Sequence, residues 1–66
     1  MKFYVYAVSP VGNVYIARDG GLTPELNEAD LNTEDIADDL SVLATTEFDM
    51  AFDIKQDVED VVSYKE

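Results

Sequence analysis

Apolar and polar positions trade places along this chain with two different periods. Lys2–Val8 puts Phe3, Val5 and Ala7 on one side and Tyr4, Tyr6 and Val8 on the other. Its aromatic and β-branched content predicts a strand. Val14–Arg18 predicts a second strand. Between them, Ser9-Pro10-Val11-Gly12-Asn13 concentrates turn residues, so the two strands are expected to form a hairpin. Asp19-Gly20-Gly21 ends the second strand. Thr23-Pro24-Glu25 then has the order of cap, first-turn proline and acid that opens a helix, and predicts a single turn or a 3₁₀ piece before Leu31.

From Asn32 to Leu43 the period changes. Thr33 is the expected N-cap, and Glu34 and Asp35 fall in the first turn, where the positive end of the helix dipole favours them. Ile36, Leu40 and Leu43 recur at i, i+4 and i+7 with Ala37 and Ala44 beside them, an amphipathic helix whose core stripe they would form. Glu34, Asp35, Asp38 and Asp39 gather on the opposite side, with Val42 among them. An apolar residue inside an acidic face suits a contact with a partner, although an ordinary exposed valine or a bent helix end is the simpler account.

Glu47–Lys55 alternates again. Phe48, Met50, Phe52 and Ile54 share one face, and Glu47, Asp49, Ala51, Asp53 and Lys55 the other, which predicts a third strand with a single buried face. A helix capped by Thr45 or Thr46 is the alternative, because Phe48 and Phe52 are four apart. Asp57–Tyr64 fits a short helix through Val58, Val61 and Val62, or an edge strand. Together these elements define a small α+β domain over residues 1–66, with two layers: a three-stranded antiparallel sheet and one or two short helices on it.

Composition narrows the chemistry. With no Cys and no His among 66 residues, the chain lacks a disulfide, a thiolate metal site and the commonest general base. Ser9, Ser41 and Ser63 therefore have no triad partner. Asp30-Leu31-Asn32-Thr33-Glu34 starts like a calcium loop, but Asp35 stands where the loop needs glycine and Ser41 where it needs a bidentate glutamate. Gly12-Asn13 and Gly20-Gly21 lack the Lys-Ser or Lys-Thr of a phosphate loop. No catalytic residue, metal ligand or cofactor is expected. There is no basic leader before an apolar run, and no stretch approaches the roughly 20 apolar residues needed to span a bilayer, so a cytoplasmic protein without a membrane role is expected.

Charge changes the picture most. Fifteen acids face four Lys and Arg, for a net charge of −11. The first 18 residues hold Lys2 and Arg18 and no acid, while the remainder holds all fifteen acids against Lys55 and Lys65, a net of −13. Such a surface repels nucleic acid and anionic membrane and attracts basic partners. Solubility alone does not require this much charge. Asp35, Asp38 and Asp39 would span about 6 Å of helix axis, and alternate strand acids lie about 6.7 Å apart, close to two phosphate steps of a DNA strand.

A short, cysteine-free, acidic α+β chain that carries Glu34-Asp35, Asp38-Asp39, Glu47, Asp49, Asp53 and Asp57…Glu59-Asp60 resembles the DNA-mimic inhibitors encoded by phages. These include small anti-CRISPR proteins, uracil-DNA glycosylase inhibitors and anti-restriction proteins. The resemblance implies a non-enzymatic inhibitor in the host cytoplasm, occupying the DNA-binding groove of a basic nucleic-acid-binding complex, a Cas complex being the specific expectation. The expected partner-binding residues are Glu34, Asp35, Asp38, Asp39, Val42, Glu47, Asp49 and Asp53. The acids on the third strand favour a monomer. The alternatives are a halophile-adapted acidic protein, which would need molar salt to fold, and an acidic subunit bound to an unrelated basic protein.

Overall fold

The computed structural model describes residues 1–57, which form a four-stranded antiparallel sheet and one long helix. Strand β1 is Phe3–Ser9 and β2 is Gly12–Ile16, paired with Tyr6 opposite Tyr15 and Ser9 opposite Gly12. The tight connection leaves only Pro10 and Val11 between the strands. Gly12 has φ +129°, a region that a side chain disfavours, and the Ser9 hydroxyl donates to its carbonyl at 2.6 Å.

The two-residue strand β3, Leu22–Thr23, pairs with β2 and adds a fourth strand to the three expected. Two residues are too few to show a period. Its position comes instead from the turn before it, where Gly21 N donates to Asp19 Oδ1 at 2.9 Å and Ala17 N to Gly21 O at 2.8 Å. The expected 3₁₀ piece is present at Leu26–Glu28. Thr23 does not cap it directly. Its hydroxyl accepts from Glu25 N at 3.1 Å and donates to Glu28 Oε1 at 2.8 Å, so it ties the whole turn together. Residues 29–32 then return along the sheet, with bridges from Ala29 to Ala17 and from Asn32 to Phe3.

Helix α1 runs Glu34–Phe48 after Thr33, which sits at the N-cap in extended backbone without a side-chain cap hydrogen bond. The helix continues one turn beyond the expected end at Leu43. The Thr45 and Thr46 hydroxyls donate to the carbonyls of Ser41 and Val42, four residues back, so neither threonine breaks it. The expected strand Glu47–Lys55 is corrected accordingly. Glu47 and Phe48 end α1, Asp49 closes it in left-handed conformation at φ 56°, and β4 is only Asp53–Gln56. Strand β4 pairs with β1, Val5 opposite Ile54, giving the order β3-β2-β1-β4. The helix or edge strand expected over 57–64 lies outside the described residues, apart from Asp57, whose N–H donates to Lys2 O at 2.8 Å.

Replacing Asp49 by glycine raises stability by about 0.5–1 kcal/mol, since it removes both the left-handed strain of a β-carbon and a negative charge at the negative end of the helix. A urea midpoint higher than wild type checks this.

The core lies between α1 and one face of the sheet. Val5, Ile16, Ala37 and Ala44 are buried together, and Phe3, Leu40, Phe48, Phe52 and Ile54 pack around them. The buried stripe of α1 is Ala37, Ser41 and Ala44, and of the expected Ile36, Leu40 and Leu43 only Leu40 packs against the core. Ile36 is 51% exposed and Leu43 64%, while Leu40 is half-buried. The reason is volume. Small residues at i, i+4 and i+7 let the helix axis approach the strands, and the phenyl rings fill the flanks. Phe48 and Phe52, 6.0 Å apart, fill the gap where the chain turns from α1 to β4.

The other face of the sheet carries the tyrosines. Tyr4 stands edge-on to Tyr15 at 5.6 Å and to Tyr6 at 6.0 Å, contacts of the order of 0.5–1.5 kcal/mol each beyond area burial. Burial, then the neighbouring Tyr15 and Tyr6 and finally Asp57, push the Tyr4 phenol above its ordinary 10.0. A raised phenol binds its proton more tightly in the folded chain, so this stabilisation is complete below the ordinary value and is lost as pH climbs through the raised one. Thermal melting should therefore fall above about pH 10, and Tyr4→Phe should flatten that part of the profile.

Candidate interaction surface

The sequence places no Lys or Arg between Arg18 and Lys55. Helix α1 lies wholly inside that interval and so carries no cation. Successive helical residues turn by about 100°. That sets Asp35 and Asp39 on the side facing away from buried Ala37, with Val42 between their line and Asp38. Glu34, Asp35, Asp38 and Asp39 are all exposed, and Val42 is 63% exposed among them. Asp35, Asp38, Asp39 and Val42 therefore form one surface on the outer side of the helix, and Glu34, exposed in the first turn, lies at its edge on the flank nearer Ser41.

The arrangement works against the helix that carries it. Glu34 and Asp38, and Asp35 and Asp39, are like-charge i, i+4 pairs, each destabilising by about 0.2–0.5 kcal/mol. Glu34 and Asp35 recover a similar amount from the dipole in the first turn. Asp38 and Asp39, in the second turn, recover little, because the dipole effect fades beyond the first.

The remaining expected residues fall elsewhere. Glu47 is exposed but belongs to the last turn of α1, on the flank shared with Leu43 rather than on a strand. Asp49 is the C-cap. Asp53 pairs with Tyr6 on β4, and its neighbour Ile54 faces the core, so its carboxylate stands on the tyrosine face, behind the sheet as seen from α1. It accepts from Ile54 N at 2.8 Å. The helix acids and Asp53 thus lie on opposite sides, and one flat groove cannot engage both. Glu59 and Asp60 lie outside the described residues.

Two features were not anticipated. The Arg18 guanidinium donates to Asn27 O at 3.3 Å beside a cavity of about 400 Å³ lined also by Leu26, Ala29, Leu31 and Asp57. Beside the acidic surface, the apolar side chains of Ile36 and Leu43 point to solvent. The signal for the second was present: Ala37, Ser41 and Ala44 make an alternative stripe one residue over from the bulky one.

Among the described residues, no group of three or more acids is placed to hold a metal ion, and no helix is long and apolar enough to cross a membrane. The fold class is a small two-layer α+β domain. No family model matches the chain, and neither the curated proteins nor the solved structures give a match.

Proposed function

We propose that this protein is a non-enzymatic inhibitor that presents the outer face of α1 to the cation-lined, nucleic-acid-binding groove of a basic protein or complex in the cytoplasm of a host cell. An anti-CRISPR protein acting on a Cas complex is the specific form of this reading. The observation that carries it is the cluster of Glu34, Asp35, Asp38 and Asp39, exposed on one helix whose segment of chain contains no Lys or Arg. Like-charge pairs that weaken their own helix call for a return elsewhere, and a partner's arginines and lysines supply it.

Each carboxylate acts as an acceptor for a guanidinium or ammonium that otherwise holds a phosphate. Asp35 and Asp39 are about 6 Å apart along the axis, within the range of alternate phosphates on one strand. Glu47 and Asp49 extend the negative field towards the C-terminal end of α1. Asp53 makes no part of this surface. The test is competition: duplex DNA should displace the inhibitor from a captured basic partner, and the affinity should fall steeply with added salt. Binding indifferent to both would remove the proposal.

A further inference from the structure

The surface just described has an apolar neighbour. On the flank of α1, Ile36 and Leu43 are exposed and Leu40 is half-buried. Leu40, Leu43, Ala44 and Phe48 meet Ile16 across a shallow groove of about 160 Å³, with Glu47 at its rim. Asp39 stands one turn before Leu43 on the side of the acidic face. The groove is well below the roughly 300–1,000 Å³ of small-molecule pockets, and is matched instead to a single large side chain of a protein.

We propose that this groove seats one apolar side chain from a cationic segment of the protein partner, with Asp39 and Glu47 receiving the basic residues on either side of it. The inference rests on the acidic-surface reading and deepens it. A partner that contacted only carboxylates would leave Leu43 and Ile36 in water, whereas a segment mixing Leu, Ile or Phe with Lys or Arg satisfies both halves of the surface. Charge selects this occupant over a second copy of the chain. Two copies each carry a net charge of −11, and the contact would set Asp39 and Glu47 against the same acids of the second copy, like charges that oppose association.

The test uses ¹⁵N-labelled full-length protein and a synthetic helical peptide with leucines on one face and lysines elsewhere, read by amide chemical shifts and by calorimetry. A control peptide has every leucine replaced by alanine at unchanged charge. The expected shifts centre on Ile16, Leu40, Leu43, Ala44 and Phe48, and the control peptide binds roughly tenfold or more weakly, the loss expected for one buried apolar side chain. Leu43→Asp is the decisive variant because it adds negative charge. A groove contact predicts weakening of about tenfold or more, while charge attraction alone predicts equal or tighter binding. Leu43→Ala, exposed and helix-compatible, should weaken binding in the same direction and covers the case in which the aspartate disturbs folding.

Unchanged or tighter binding by both Leu43 variants overturns the groove. If Asp35, Asp38 and Asp39 replaced together by asparagine still weaken binding in that case, the acidic-face reading stands without it. Weakening by the Leu43 variants with none from the asparagine replacements overturns the cationic partner instead. Self-association in molar salt with shifts on the same residues overturns it in favour of a second copy.

Discussion

Enlarging Ala37 to leucine destabilises the fold by about 1–3 kcal/mol, whereas trimming Ile36 to alanine moves stability by less than about 0.5 kcal/mol. Ala37 is fully buried against the sheet at 0% exposure, and Ile36, its neighbour, is 51% exposed. An added isobutyl group at position 37 must push α1 off Val5 and Ile16 or force strained rotamers. A domain of this size has a total stability of only about 0.05–0.15 kcal/mol per residue, so the first change is a large fraction of the whole. Urea denaturation of both variants checks the pair. The reverse order, with Ile36→Ala costing the 2–5 kcal/mol typical of a buried isoleucine, would place the bulky stripe in the core after all.

Replacing Asp35, Asp38 and Asp39 together with lysine weakens binding to a basic partner by about a hundredfold or more. Single exposed ion pairs contribute only about 0.2–1 kcal/mol. Close charge pairs across an interface couple more strongly, by about 1.5–7 kcal/mol. Reversal turns each attraction into a repulsion, so three such changes comfortably exceed the ~2.7 kcal/mol that a hundredfold loss represents. The fold should survive. All three residues are exposed, and the cost at Asp35 is limited to the dipole contribution of about 0.3–1 kcal/mol. Circular dichroism separates a lost interaction from a lost helix. Asp53→Lys, on the tyrosine face, should leave binding within about twofold, in line with the small effect of a charge outside the contact.

The strands around the N-terminal turn were legible because Phe3–Val8 is rich in aromatic and β-branched residues and Ser9-Pro10-Val11-Gly12-Asn13 concentrates turn residues. The separation of Phe3, Val5 and Ala7 from Tyr4, Tyr6 and Val8 follows directly from the pleat. Helix α1 was legible at Thr33 and in its acidic face, since caps and first-turn acids are local signals. Its rotation was not. Bulk favours Ile36, Leu40 and Leu43 as the core stripe, but how closely a helix can approach a sheet depends on the partner side chains, and Phe3, Val5 and Ile16 lie far from α1 in sequence. The end of α1 is masked in the sequence for a related reason: Phe48, Phe52 and Ile54 all pack on one core, and a helix end, a turn and a short strand imitate a two-residue period. The acidic surface was half legible. Asp35, Asp38, Asp39 and Val42 lie together as the helix period requires, with Glu34 at their edge, whereas Asp53 stands on the far side of the sheet, as its alternation with Phe52 and Ile54 requires once a helix covers their face.

The most direct measurement is capture of a basic nucleic-acid-binding protein from host lysate by the wild-type chain and by the Asp35/Asp38/Asp39 lysine variant, with duplex DNA as competitor. An acidic mimic predicts that DNA releases the partner from the wild type, and that the lysine variant captures none. A partner held equally by both proteins, or one that DNA does not displace, would contradict it.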